Sequence, residues 1–358
     1  MRAHLTLLCA AVCVFGCGGR TPLSGELQPA PQPDPPAPVP VAGGCTSASP
    51  TILASGQDSP SAIAVDSSAV YWIDTGSRQV MSADLCGTAV TTLVVSTDKI
   101  TGIAIDDTNV YFLDLGGTQG DGPITAMAVP KAGGTTRAIA STTGYVGPEQ
   151  EDPIAVDDTS VYFAANEATL ANGTIVSAPK SGGSVTVLAT GQWNINTLLV
   201  DSTNVYWSST NGDSIFGAVS SCLKTGGPTD ALVVGMTSGA DVAGFFAIAI
   251  DAGYVYFPEP AAVARIPKGG GAVELITTTQ SLQDNVQTGI AVDSSHVYWV
   301  ETPGEASVIH VATAAGGPDA TLVSAATGDE ASGVRLAVDA TSVYWTSYGT
   351  GTVMRAPK

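Results

Sequence analysis

The residues able to do chemistry in this chain are few and unevenly placed. Beyond His4 there are two histidines, His296 and His310. Carboxylates are plentiful, 32 against 13 Lys and Arg, for a formal net charge of −19. Tyr145, Trp193, Phe216, Phe245 and Tyr348 stand apart from the regular aromatic positions of the chain, and Glu149, Glu151 and Asp152 lie close to the first of them. Acid–base or metal chemistry would need histidine and carboxylate to converge. Recognition needs less: aromatic faces among carboxylates suit sugars, cationic groups or a basic peptide. An acidic chain disfavours nucleic acid and anionic lipid and favours cations or basic partners, although solubility alone also accounts for it.

Sharper motifs fail on geometry. Ser177–Lys180 and Ser221–Lys224 read as S-x-x-K, and Lys224-Thr225-Gly226 reads as K-T-G, both marks of penicillin-binding enzymes. Their surroundings have strand character, where positions three apart face opposite ways. Both signatures would also share Lys224. They are by-products of a repeat, and no G-x-S-x-G, phosphate loop or H-E-x-x-H is present.

That repeat positions everything else. Ile63–Trp72 returns as Ile103–Phe112, Ile154–Phe163, Leu198–Trp207, Ile248–Phe257, Ile290–Trp299 and Leu336–Trp345. Each copy reads apolar, small, apolar, Asp, a polar turn, then Val-Tyr-Trp or Val-Tyr-Phe. Each repeat holds four strand-like pieces, in the third Pro153–Val156, Val161–Ala164, Thr174–Pro179 and Ser184–Ala189. Lys180-Ser181-Gly182-Gly183 supplies a tight turn, since glycine admits positive φ. Four short antiparallel strands, here called A to D from the axis outward, describe a propeller blade. Ala near the centre of strand A (Ala64, Ala104, Ala155, Ala249, Ala291, Ala337) fits converging blades, and the strand B aromatics fill the volume where they diverge. The Asp ending strand A (Asp66, Asp106, Asp157, Asp201, Asp251, Asp293, Asp339) is expected to cap backbone N–H groups of its turn, with a metal ligand as the alternative.

The last repeat stops after strand C, at Thr352–Lys358. Its missing strand D is predicted at the other end, where Pro50–Gln57 matches Val185–Gln192. An N-terminal strand would then close the ring and remove two open sheet edges. Ile63–Gly76, ending Tyr71-Trp72-Ile73-Asp74-Thr75-Gly76, resembles the YWTD repeat of lipoprotein-receptor propellers and, more loosely, the NHL repeat. Tyr344-Trp345-Thr346-Ser347-Tyr348-Gly349 is also close. The resemblance spans about 45–358 and implies an all-β, four-stranded-blade propeller. Those families usually build six blades; this sequence counts seven.

Propeller geometry sorts the connections onto two faces, D–A and B–C loops on one (the loop face) and A–B and C–D turns on the other (the turn face). Tyr145, Trp193 and Phe245 map to D–A loops, Phe216 and Tyr348 to B–C loops. With Glu149, Glu151 and Asp152 they make the loop face the candidate binding site, unless each aromatic merely packs over a gap between blades. Acids gather on the same face, among them Asp58, Asp74, Asp98, Asp114 and Glu301. Lys131, Lys180, Lys224, Lys268 and Lys358 open C–D turns, forming a lysine face or simply solvated turn charges. Seven-bladed streptogramin lyases use histidine and acid near the central channel. Here His296 maps to an A–B turn, and His310 to strand C, aligned with Ser177 and Arg355. Neither reaches the channel mouth, so no catalytic residue is assigned. Ca²⁺ or Mg²⁺ would find oxygen ligands on the loop face, but no specific motif calls for either.

The first residues read as an export signal. Arg2 precedes a short apolar run, Leu5 to Phe15, ending Val14-Phe15-Gly16-Cys17-Gly18, which resembles the bacterial lipobox. That resemblance implies a signal peptide over 1–16, lipidation at Cys17 and an outer-membrane address, with an ordinary cleaved signal as the alternative. Pro29, Pro31, Pro33, Pro35, Pro36, Pro38 and Pro40 then favour polyproline II in a linker over 17–44, and the propeller fills 45–358. Cys45 and Cys86 fall near one another on the turn-face rim of neighbouring blades, which predicts a Cys45–Cys86 disulfide; Cys222 is predicted to be a buried free thiol. Together these features predict a monomeric, lipid-anchored binding module of the cell envelope for a protein, glycan or cationic ligand, without nucleic acid. The alternative is an exported lyase or hydrolase using loop-face carboxylates and a divalent metal.

Overall fold

The computed structural model describes residues 49–119, 122–144, 153–165, 173–210, 216–237, 247–259, 262–278, 289–301, 307–327 and 334–358. They form seven four-stranded antiparallel sheets. Six of these run A, B, C, D in chain order. The seventh takes strands A, B and C from Arg335–Val338, Ser342–Ser347 and Thr352–Pro357, and its strand D is Thr51–Ser55. The pairs Thr51↔Arg355, Ile52↔Met354, Ala54↔Val353 and Ser55↔Thr352 fix that closing register. The ring is therefore shut by the N-terminal strand, as the repeat arithmetic predicts.

The third repeat shows how well local chemistry sets the strands. They run Ile154–Val156, Ser160–Ala165, Gly173–Pro179 and Thr186–Gln192. Strand D continues to Gln192, beyond the predicted Ala189. The register slips opposite strand C, and Gly191 at φ 69° accommodates the slip. The C–D turn is the predicted one: Gly182 N–H donates to the Pro179 carbonyl at 2.8 Å, and Gly182 and Gly183 take φ of 94° and 144°.

Alternation along strand B decides which neighbour each aromatic meets. Tyr71 packs toward the second blade, with Ile100, Ile103, Val110 and Phe112. Trp72 points the other way, toward Leu53 and Tyr344 of the closing blade. The same division recurs around the ring, so each wedge between blades is filled by the Tyr of one and the Trp or Phe of the next. The side chains of Trp72, Trp207, Trp299 and Trp345 are fully buried.

The closing seam is the tightest of these wedges. A Cβ on Gly87, in the C–D turn of the first blade, would meet Leu53 Cα at 2.7 Å. At the equivalent Gly182 and Gly226 the nearest atoms lie at 3.4 and 3.6 Å. Cys86, beside Gly87, is disulfide-bonded; its partner is outside the described residues, as are Cys17, Cys45 and the linker. Cys222 is a buried free cysteine, as predicted.

Candidate functional site

On the turn face the seven aspartates ending strand A do what their position predicts. One carboxylate oxygen accepts the backbone N–H groups two and three residues on, at 2.7–2.9 Å. The other oxygen accepts the hydroxyl of the strand B tyrosine, five residues on. The lysines are neither a free cationic face nor solvated turn charges. Lys131, Lys180, Lys224, Lys268 and Lys358 each reach back to the preceding blade and pair with Asp66, Asp106, Asp157, Asp201 and Asp293 at 2.5–2.8 Å. Each ammonium also lies 5.1–5.9 Å above the ring of that blade's tyrosine. The result is an Asp–Tyr–Lys clasp between blades. Sequence order hid it, because the partners are 65 to 74 residues apart.

Two junctions lack the lysine. Ala314 stands where Asp251 would receive one, and Leu85 where Asp339 would. In the two blades left without it, the strand C residue opposite the tyrosine is arginine: Arg265 faces Tyr256 and Arg355 faces Tyr344. The other five blades hold Ser82, Ala128, Ser177, Ser221 and Val311 there. A cation thus reaches every tyrosine, from the next blade or from its own. Arg265 also crosses the wedge itself, its Nη1 donating to the Ala314 carbonyl at 2.5 Å.

Electrostatics distinguish the two faces. On the turn face, burial alone would raise the aspartates, but the lysine and the N–H donors outweigh it and hold Asp66 and Asp201 down at about 2. Asp106, Asp157 and Asp293 are lowered by the same balance, and Asp251 and Asp339, which lack the clasp lysine, by their tyrosine hydroxyl and N–H donors. On the loop face the shift reverses. Asp74, 4% exposed, is raised to about 6 by burial, with the charge of Asp58 adding and the Asp58 N–H and Trp72 indole opposing. Burial also raises Asp114, assisted by Asp98, and Glu259. Among the described residues no lysine clasp of the turn-face kind reaches these groups.

The predicted binding residues divide between what is described and what is not. Trp193 and Tyr348 are exposed, 47% and 42%, immediately after strand D of the third blade and strand B of the closing blade. Tyr145, Glu149, Glu151, Asp152 and Phe245 fall outside the described residues. Phe216 lies within strand C, Phe216–Leu223, rather than in a B–C loop.

The histidines need one correction. His296 opens strand B of the sixth blade beside the A–B turn, as expected. His310, however, pairs with Trp299, which aligns it with Val176 and Met354 instead of Ser177 and Arg355. The shift of one residue turns it to face the fifth blade. There its ring stacks on Trp299 at 5.4 Å. Its Nε2 lies 3.0 Å from Glu301 and its Nδ1 3.3 Å from Asp319, the latter contact too poorly aligned to count as a hydrogen bond. The two carboxylates flank opposite edges of one imidazole, so they do not converge on a common point. Among the described residues no three His, Cys, Asp or Glu side chains converge as a metal site.

No protein-family model matches the chain, and no curated protein matches it. Solved structures do resemble it. Hydrazine synthase of Kuenenia stuttgartiensis matches with a TM-score of 0.62 and 14% identity, over 85% of this chain and 97% of that one. YCF48 bound to D1 peptide matches with a TM-score of 0.59 and 9% identity, over 87% and 95%. A chain of a nidogen/laminin complex gives 0.45 at 15% identity, over 70% and 87%. Identities this low speak to architecture alone, and by its sheet order and the first two of these likenesses the chain has the β-propeller fold.

Proposed function

We propose that this protein is a non-catalytic binding module, held at the outer membrane of the cell envelope by a lipid on Cys17 and presenting its loop face to a protein partner. The observation that carries this reading is the contrast between the faces. Five of the seven strand-end aspartates of the turn face are held by lysine clasps. Loop-face carboxylates are raised by burial and lie on the same face as the exposed Trp193 and Tyr348. A segment with basic and aromatic or apolar side chains would fit that combination. YCF48, a propeller of similar architecture, has been solved with a peptide bound. The proline-rich linker would act as a stalk, and a Cys45–Cys86 bridge would staple the stalk's end to the seam where Cys86 sits.

Affinity capture from the native envelope tests the reading. A Trp193→Ala, Tyr348→Ala chain should lose a protein that the wild type retains, while Asp107→Asn, Asp158→Asn on the turn face should keep it. Equal capture by all three chains would rule the loop face out. A rise in melting temperature on adding Ca²⁺ or Mg²⁺ would point instead to metal-bearing carboxylates. Lipid anchoring has its own check: Cys17→Ser should release the protein from the membrane fraction and abolish incorporation of labelled fatty acid.

A further inference from the structure

A cavity of 260 Å³ receives strand A residues from all seven repeats, including Ile63, Ile103, Leu198, Ile248, Ile290 and Arg335. A cavity touched by every innermost strand is axial. Its wall carries aliphatic side chains with backbone polar groups between them, and among the described residues Arg335 is the one charged residue lining it. The residue just before the aliphatic position of strand A is Ala62, Gly102, Pro153, Thr197, Ala247 and Gly289 in the first six repeats; in the seventh it is Arg335. Six small or compact residues and one guanidinium therefore share one layer, on the loop-face side of the aliphatic layer. Gly289 is held to its size, since a Cβ there would meet the Val334 carbonyl at 2.7 Å, immediately beside Arg335.

Thr197 lines the same cavity, from the start of its strand A. Arg335 already engages at least one neighbour, but a guanidinium has five N–H donors, enough for a second partner.

From these features we infer that the axial cavity binds a small aliphatic monocarboxylate. Its carboxylate meets Arg335 at the loop-face end of the cavity, and its hydrocarbon chain lies along the Ile and Leu wall. The planar guanidinium suits a carboxylate in two-point contact. The volume falls just under the usual range for drug-sized ligands, roughly 300–1,000 Å³, so the chain is short to medium. On a protein of net charge −19, a cation opening onto an apolar cavity is the exception. The site is inside the ring and stands apart from the loop-face reading.

Isothermal titration of the full chain with octanoate, octan-1-ol and octylamine provides the test. Octanoate should bind saturably at one site, more tightly than the alcohol, with the amine weakest. Arg335→Leu should weaken octanoate about 10- to 100-fold, the usual cost of losing a charged hydrogen-bond partner, and leave octan-1-ol unchanged. Arg335→Lys, which keeps the charge and loses the fork, should fall between. The comparison of three ligands on the wild type needs no variant to fold. Absence of saturable octanoate binding, or equal binding of the alcohol or amine, overturns the inference.

Discussion

Lys131→Met removes the lysine from the clasp between the first and second blades, and its cost can be worked from the structure. Asp66 is held at about 2 against an ordinary 3.8. That lowering, discounted for the partial exposure of the pair, corresponds to about 1–2 kcal/mol for all the groups holding the carboxylate, net of its desolvation. Lys131 leads the lowering contributions, ahead of the Ser68 hydroxyl and backbone donors, and a partly exposed pair of this kind is worth about 1 kcal/mol. The ammonium lies 5.2 Å over the Tyr71 ring, which adds about 0.5–1 kcal/mol. The expected loss is about 2 kcal/mol, or roughly 4 °C in melting temperature at the lower end of the size scaling. Because the folded-state value is depressed, the carboxylate part of this stabilisation is complete above pH 3.8 and is lost as pH falls through about 2. The gap between the variant and the wild type should therefore be widest at pH 7 and narrow towards pH 2, where the contact of the ammonium with the Tyr71 ring remains. A rescue follows from the two junctions that lack lysine. Ser82 occupies in the first blade the place that Arg265 and Arg355 hold in the fifth and the last. Adding Ser82→Arg to Lys131→Met should recover about half the loss or more, while Ser82→Arg alone should change little. Scanning calorimetry of the four chains from pH 2 to 7 reads all of this. If Lys131→Met costs nothing at pH 7, or Ser82→Arg helps the wild type as much as the variant, the clasp is not what joins these blades.

Other outcomes follow from single sites. Gly351→Ala should weaken ring closure by about 2 kcal/mol or more, since Gly351 sits at φ 61° and an added Cβ would meet the Gln57 carbonyl at 2.4 Å; hydrogen exchange should then rise first in Thr51–Ser55. Asp74 carries the opposite sign to Asp66. Its folded value near 6 means that stability falls as pH rises from about 4 through 6, so Asp74→Asn should flatten the melting-temperature profile in that window alone. Cys222 is 2% exposed and its thiol is raised to about 11 by burial, with Asp230 adding to the shift; it should react with a thiol reagent only after unfolding.

Much of this architecture could be read before any coordinates, and the reason is periodicity. Seven copies of one strand–turn–strand signature fix blade number, strand identity and the N-terminal closure, because a sheet missing strand D must find one. Asx-turn chemistry is local, so the capping role of Asp66 and its six counterparts was also legible. The clasps were not. A lysine bonded to the previous blade depends on how blades stack, and its chemistry shows only when Lys131 is set beside Asp66 across the wedge. The signal was there in retrospect: Arg265 and Arg355 appear in the blades whose incoming lysine is replaced by Ala314 or Leu85. His310 illustrates the limit of aligning strands by eye, since one residue of slip exchanges the faces of a strand and moved it from the tyrosine side to the tryptophan side. Candidate ligand residues were the least legible, because Tyr145, Glu149, Glu151, Asp152 and Phe245 fall in stretches of sequence that break the repeat and so escape its rules.

The division of labour between the faces has one direct test. A photoreactive phenylalanine analogue placed at Trp193 or Tyr348, and separately at Asp107 or Asp158, can be cross-linked in intact cells of the native host. The account predicts a covalent adduct with a second protein from the Trp193 and Tyr348 positions and none from Asp107 or Asp158. Adducts from the aspartate positions alone, or from none of the four, would contradict it.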